Sequence, residues 1–145
     1  MSREQNIELG RRLVEAWSVK KGGDIEPLMA LFAEDVDYRI MVDTDLFPEF
    51  KGPWTKAAIR DYVAAETGAL DVVLKIKSLI ADDKSVVVEC MADMTIGVHP
   101  YNNNYCFVVG VEGGKIKSLR IYMDSLLGKQ AMVWLLAEIA KASAA

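Results

Sequence analysis

Four strand-length runs follow one another in the second half of the chain, and only short turns separate them. The runs cover residues 70–80, 85–98, 104–111 and 115–124. In the last three, apolar residues alternate with a mixed set, which is typical of strands that bury one face. A connection as short as Glu112–Gly114 joins antiparallel strands, because a parallel connection needs a dozen or more residues. The sequence therefore predicts an antiparallel meander in this half.

Helical patterns precede and follow the meander. They predict a first helix from Ser2 to about Lys20, a short second helix after Asp24, a strand over 35–42, a loop over 43–53, a third helix from Thr55 to near Gly68, and a last helix from Ser125 to about Lys141. Helices grouped on one side of an antiparallel sheet define an α+β layer architecture. We therefore expect an α+β fold.

The length and charge of the chain exclude several classes of protein. Its 145 residues correspond to one domain, and 17 Lys and Arg against 21 Asp and Glu give a net charge of −4. That balance argues against a protein that binds nucleic acid. No apolar run approaches the roughly 18 residues that span a membrane, and "MSREQNIELG" lacks the apolar stretch of a signal peptide. We expect a cytoplasmic protein that contacts no membrane.

Two residue types limit the chemistry of the chain. The two cysteines, Cys90 and Cys106, lie in strand-like runs and are expected to be free thiols. His99 is the one histidine, so a cluster of histidine metal ligands is excluded within one chain. We expect His99 to lie in an exposed turn. No phosphate-binding glycine loop, dinucleotide fingerprint or nucleophile motif is present in the sequence. We expect neither a metal nor a cofactor.

The two faces of the predicted meander differ in chemistry. One face is apolar, and it contains Val86, Val88, Cys90, Met94, Ile96, Tyr105, Phe107, Val109, Leu119, Ile121 and Met123. We expect this face to be the outer surface of the sheet and the contact of a homodimer, since a monomer rarely exposes so large an apolar patch. The opposite, mixed face is then expected to line a pocket for a small apolar ligand.

Three polar residues are candidates for catalysis. Asp124 lies on the mixed face, where its carboxyl could act as a general acid or base, unless it is a solvated strand end or caps the helix at Ser125. Asp93 lies mid-strand among apolar residues, which predicts either a pocket position or an ion pair at the sheet edge. Tyr38 could donate a hydrogen bond to a substrate oxygen, or it could be a core tyrosine whose hydroxyl is satisfied.

The predicted pocket wall combines the mixed face with aromatic residues of the first helix and the loop. It consists of Trp17, Ile40, Phe47, Phe50, Trp54, Met91, Thr95, Asn104, Cys106 and Tyr122. The aromatic members could alternatively serve as core and rim packing. The Cys106 thiol is expected to be inert, since no partner base is evident.

Three stretches of the chain resemble a known family. They are "LMALFAEDVDYRI" (28–40), "FKGPWTKAAIRDYV" (50–63) and "YNNNYCFVVGVEGGKIKSLRIYMDS" (101–125). Over nearly its whole length the chain resembles the SnoaL-like, ketosteroid-isomerase-like branch of the nuclear-transport-factor-2-like superfamily. The resemblance implies a cone-shaped barrel, in which a curved antiparallel sheet of about five to six strands wraps on about four helices. The concave side of that sheet lines a pocket.

The steroid isomerase residues of this branch are replaced in the chain. Ile40 occupies the position of the general base, Leu13 that of the oxyanion tyrosine, and Cys106 that of the protonated aspartic acid. The resemblance therefore does not imply the isomerase mechanism, which combines an aspartate base with a tyrosine and an aspartic acid in the oxyanion hole.

Members that resemble limonene epoxide hydrolase match the chain better. Tyr38 stands at their water-binding tyrosine, and Asp93 and Asp124 stand at their two aspartates. Ile40 replaces their asparagine, and Met91 replaces the arginine that bridges their carboxylates.

Two classes of function follow from these residues. The first is a cofactor-independent acid–base enzyme of the isomerase, dehydratase, cyclase or hydrolase type. It would act on a small, mostly apolar molecule, with Asp124 moving the proton, Asp93 orienting it and Tyr38 stabilising negative charge on oxygen. The second is a non-catalytic protein that binds a small ligand in the same pocket.

Overall fold

Helices precede, interrupt and follow the strands of a single sheet. The computed structural model describes residues 1–144. In these residues the order is α1 (Arg3–Trp17), α2 (Glu26–Met29), β1 (Phe32–Ile40), a short 3₁₀ helix (Pro48–Phe50), α3 (Lys56–Ala69), β2 (Leu74–Ala81), β3 (Ser85–Ile96), β4 (His99–Glu112), β5 (Lys115–Met123) and α4 (Ser125–Ala144).

The strands form one curved sheet in the order β1-β5-β4-β3-β2. The consecutive strands β2 to β5 pair antiparallel, as predicted, and β1 joins the edge parallel to β5. The predicted α+β fold with a curved sheet on four helices is confirmed. The sheet is not closed into a barrel, because β1 and β2 remain as its two edges.

Side-chain caps place the helix starts where the sequence predicts them. The Ser2 hydroxyl accepts a hydrogen bond from the Gln5 amide, and the Gln5 side chain accepts one from the Ser2 amide, which completes a capping box. The Thr55 hydroxyl accepts from the Ala58 amide at the start of α3. Each cap satisfies backbone donors that the first helical turn leaves without partners.

The apolar face of the sheet is the concave face, and the helices cover it. α1 packs against β2 and β3, α3 against β1, and α4 against β3 and β4. Val86, Val88 and Val109 on this face are fully buried. At Gly10 of α1, an added Cβ would lie 2.9 Å from Val86 Cγ2, so this glycine lets the helix approach the sheet closely.

The predicted assignment of the two sheet faces is wrong. The residues expected to form an outer dimer surface form the core, because their burial against the helices removes the largest apolar area from water. The mixed face is the convex one and meets solvent. The surface predicted for a homodimer is therefore not exposed in this fold.

The turn before β4 is shorter than the sequence predicts. Residues 99–104 belong to the strand, and the turn is made at Gly97, whose positive φ of 64° suits glycine, and Val98. His99 is exposed, as expected, but it lies in the strand, where its ring stacks on Trp134 of α4 with centroids 4.1 Å apart. The run of asparagines and a proline is typical of turns, and sheet pairing overrides that preference here.

Candidate active site

The concave face of the sheet and the helices above it surround a cavity of about 100 Å³. Most of its wall is apolar: Trp17, Ile40, Phe50, Val72, Leu74, Ala92, Met94, Phe107, Ile121, Met123, Gly128, Ala131, Met132 and Leu135. Within residues 1–144, the side chains that bring oxygen to this wall are Tyr38, Tyr62, Tyr101, Tyr105 and Glu66. A largely apolar cavity with a few convergent polar groups is the usual form of a small-molecule site.

Glu66 brings a carboxyl group to this cavity from the third helix. It follows the fully buried Ile59 and Val63 at helical spacing, so it lies on the face of α3 that packs inward. Burial raises the pKa of Glu66 to about 7, and a hydrogen bond from the Trp17 side chain lowers it by a smaller amount. A carboxyl with this pKa exchanges its proton near neutral pH.

Four phenols share the cavity wall with Glu66. Burial is the largest cause that raises the pKa of Tyr38, Tyr62, Tyr101 and Tyr105, and the negative charge of Glu66 raises each of them further. The Tyr62 hydroxyl lies 3.7 Å from Met132 Sδ, a weak acceptor. The phenols therefore stay protonated and can donate hydrogen bonds.

Tyr101 and Tyr105 form a hydrogen-bonded pair on β4. Tyr101 lies two residues before Asn103, and Tyr105 lies two residues after it. Their hydroxyl oxygens are 2.6 Å apart. Asn103 Nδ2 donates to Tyr101 Oη at 2.7 Å and to the Asp124 carbonyl oxygen at 3.0 Å. The alternation along β4 places all three side chains on the concave face. This arrangement directs two phenolic hydroxyls toward one point of the cavity wall.

An open groove lies beside the cavity, between β1 and the segment 41–55. Tyr38, Ile40, Phe50 and Met123 line both the groove and the cavity, so these four side chains separate the two spaces. Met123 is the most flexible of them, since its side chain is unbranched. Its sulfur packs closely over Gly128, where an added Cβ would lie 2.6 Å from Sδ.

The structure brings one group of the predicted site residues together. Trp17, Tyr38, Ile40 and Phe50 line the cavity, and Phe47 and Trp54 line the adjoining groove. Trp17 stacks on Phe107 with ring centroids 5.7 Å apart, and the Trp54 indole donates to the Phe50 carbonyl oxygen at 2.9 Å. The aromatic residues therefore both pack the core and form the wall.

The other predicted site residues lie on the convex face of the sheet, away from the cavity. They are Asp93, Met91, Thr95, Asn104, Cys106, Tyr122 and, at the end of β5, Asp124. Asp93 is exposed and pairs with Lys75 Nζ at 2.6 Å, which is the ion pair that the sequence left open as the alternative. Asn104 accepts a hydrogen bond from Lys77 Nζ at 3.1 Å. The prediction that these residues line the pocket is wrong, because the mixed face of the sheet is turned to solvent and the apolar face is turned to the helices.

Asp124 caps the last helix. Its Oδ1 accepts hydrogen bonds from the backbone amides of Leu126 at 3.0 Å and Leu127 at 3.2 Å, and its side chain is exposed. We expect Asp124→Ala to lower the free energy of unfolding by about 1 kcal/mol in urea titrations, because the cap is lost. Asp124→Asn keeps a capping oxygen and should cost only a few tenths of that. Equal losses in both variants would contradict a capping role.

The two cysteines face opposite sides of the sheet. Cys90 is buried on the concave face, where burial raises the pKa of its thiol to about 12, and Cys106 is half-buried on the convex face. Within residues 1–144, no three His, Cys, Asp or Glu side chains are grouped closely enough to hold a metal ion. No helix in this part of the chain is long and apolar enough to cross a membrane.

The fold and cavity define a class: an α+β protein whose curved sheet and helices surround a small apolar site. Within that class, the sequence profile of the SnoaL-like domain matches residues 11–119, and the chain belongs to this family. A comparison with the curated proteins finds no match.

Solved structures share the fold at low sequence identity. A candidate isomerase from Rhodopseudomonas palustris superposes with a TM-score of 0.70 at 18% identity, over 92% of this chain and 98% of that one. An epoxide hydrolase of the limonene epoxide hydrolase type from M. tuberculosis gives 0.71 at 18% identity, over 95% and 96%. A protein with a ketosteroid-isomerase-like fold from Catenulispora acidiphila, in complex with trimethylamine, gives 0.64 at 18% identity, over 79% and 84%. At this identity the likeness concerns the fold.

Sequence reasoning missed Glu66, Tyr101, Tyr105 and Asn103 as site residues. Glu66 lies on a helix, whereas the predicted acid–base groups all lie on strands. One signal was available: Glu66 continues the apolar stripe of Ile59 and Val63, and a carboxylate on a buried face is costly unless its environment has a use for it.

Proposed function

We propose that this protein is a cofactor-independent acid–base enzyme that moves a proton on a small, mostly apolar molecule carrying a carbonyl oxygen. The observation that supports this proposal is the position of Glu66 in an apolar cavity, where burial raises its pKa to about 7. A base is most effective when its pKa lies near the working pH. In this proposal Glu66 is the general acid or base, the role for which the sequence analysis considered Asp124.

The phenol pair supplies the second half of the proposed chemistry. Removal of a proton beside a carbonyl places negative charge on the carbonyl oxygen, and donors preset at that oxygen lower the barrier. Tyr101 and Tyr105 line the cavity with their hydroxyls 2.6 Å apart, and burial keeps both protonated. We assign the oxyanion position to this pair.

The volume of the cavity restricts the substrate. A cavity of about 100 Å³ is smaller than the engineered cavity of roughly 150 Å³ that takes up benzene. Met94, Met123 and Met132 in its wall are unbranched and can repack around a five- or six-membered ring. A longer substrate would extend past Met123 into the groove.

Deuterium exchange tests this function without knowledge of the product. The protein should accelerate the exchange of the α-hydrogens of cyclopentanone in D₂O, followed by proton NMR, and phenol should inhibit by occupying the same cavity. The rate should rise with pH and level off above about 7, as Glu66 loses its proton. Phenol binding without any exchange would indicate the alternative, a non-catalytic ligand-binding protein.

A further inference from the structure

Asn103 is buried and polar, and it contacts the phenol pair at the cavity. The residue is 2% exposed, and within residues 1–144 its Oδ1 has no hydrogen-bond partner. Leaving such an acceptor unsatisfied costs roughly 1–3 kcal/mol. The one other buried side-chain oxygen of this kind in that range is Asn6 Oδ1, and the Asn6 amide donates to the Asp82 carbonyl oxygen in the turn between β2 and β3. Asn103 therefore occupies its position at an energetic cost.

The orientation of the Asn103 amide is set by the backbone. A carbonyl oxygen only accepts hydrogen bonds, so the Asn103 atom that faces the Asp124 carbonyl at 3.0 Å must be the NH₂ group. The second N–H of the same group then points to Tyr101 Oη at 2.7 Å. Asn103 is thus the donor toward Tyr101, and the Tyr101 hydroxyl cannot donate a hydrogen bond to Asn103.

The protons of the pair can be counted from this constraint. Tyr101 and Tyr105 carry two phenolic protons, and the bond between their oxygens uses one of them. Because Asn103 accepts nothing from Tyr101, the second proton remains available to the cavity, on whichever of the two phenols carries it. An acceptor at position 103 would instead take the Tyr101 proton, and Tyr105 would then donate to Tyr101.

We infer that Asn103 is a positioning residue that keeps one phenolic O–H free for the ligand, so that the cavity selects molecules that present a hydrogen-bond acceptor. This inference rests on the proposed function only in taking the cavity as the ligand site. It adds a specificity rule: a carbonyl compound binds better than its isosteric hydrocarbon. Asn103 acts through Tyr101 and Tyr105 and does not line the cavity itself.

Asn103→Asp reverses the polarity at Tyr101 with almost no change in shape. A buried aspartic acid next to the Asp124 carbonyl would be protonated, would donate its O–H to that carbonyl, and would present its other oxygen to Tyr101. Both phenolic protons are then used within the network. Asn103→Leu offers neither donor nor acceptor, so one phenolic proton stays free. A purely structural role for Asn103 predicts the opposite order, with the leucine variant the more damaged.

The experiment compares the binding of cyclopentanone and methylenecyclopentane, two ligands of nearly equal shape, to the wild type and its variants. The wild type should favour the ketone by roughly two- to tenfold, the value of one neutral hydrogen bond. Asn103→Asp should lose this preference and the low-frequency shift of the bound C=O stretch in the infrared spectrum. Asn103→Leu should keep both, and the matched control Asn6→Asp should behave as the wild type.

Each result decides a different statement. An Asn103→Asp variant that keeps the ketone preference, or a folded Asn103→Leu variant that loses it, would overturn the role of Asn103 and leave the proposed function intact. Equal binding of both ligands by the wild type would show that no free O–H faces the cavity, and it would overturn both the inference and the oxyanion position. Ketone preference without proton exchange would leave the inference standing in a non-catalytic binding protein.

Discussion

Glu66→Gln should reduce the exchange of cyclopentanone α-hydrogens by about 10²–10⁴-fold, the usual contribution of a general base. The amide has the shape of the carboxylate and can still accept a hydrogen bond from Trp17, but it cannot take a proton at neutral pH. Binding of cyclopentanone should persist, because the cavity wall and the phenol pair are unchanged. The measurement is the exchange rate by NMR, together with affinity by titration.

Asp93→Asn and Asp124→Asn are the matched controls for this prediction. They remove the two carboxylates that the sequence suggested, and both lie on the exposed side of the sheet or at its end. Exchange should be nearly unchanged in both variants. If either one lost exchange by as much as Glu66→Gln, the acid–base group would have to be sought outside the cavity.

Glu66→Gln should also stabilise the protein against unfolding, by an amount that depends on pH. The pKa of Glu66 is about 7 in the folded state, compared with an ordinary value of 4.5. Below pH 4.5 the group is protonated in both the folded and the unfolded state, so it contributes no difference. Between pH 4.5 and 7 the unfolded state loses its proton first, and the free energy of unfolding falls as the pH rises. Above pH 7 the penalty is complete.

Glu66→Gln removes this penalty. At pH 8 the variant should be more stable than the wild type by up to about 3 kcal/mol, since a tenfold difference in proton affinity between the folded and unfolded states corresponds to about 1.4 kcal/mol. At pH 4 the two proteins should unfold at the same urea concentration. Urea titrations at both values measure the difference, and a gap that did not change with pH would show that the carboxyl is ionised in the fold without cost.

The sequence predicted the elements and their order well, because local patterns dictate them. The alternating runs of the meander, the capping box at Ser2 and the cap at Thr55 all act over a few residues. The parallel pairing of β1 with β5 was not predicted, since it joins segments about 80 residues apart and no local pattern encodes it. The resemblance to the SnoaL-like family pointed to the right fold.

The candidate site could be predicted only in part. Tyr38, Trp17, Ile40 and Phe50 line the cavity, because large apolar and aromatic residues are usually buried and these four pack in the space between the helices and the sheet. The acid–base group could not be found from the strands, because it is Glu66 on α3. A residue on a helix reaches the cavity above the sheet only when that helix packs against strands that are distant in sequence, and no local pattern encodes this packing.

Alternation by itself determined that each strand has two chemically distinct faces and which residues share a face. It could not determine which face turns inward, because strand geometry is the same in both cases. Only the tertiary structure decided that: the helices offer apolar stripes, and packing them on the apolar side of the sheet removes more apolar surface from water than packing them on the mixed side. That packing leaves Asp93 and Asp124 exposed to solvent, and it places Glu66 of α3 and the phenols of β4 in the wall of the same cavity.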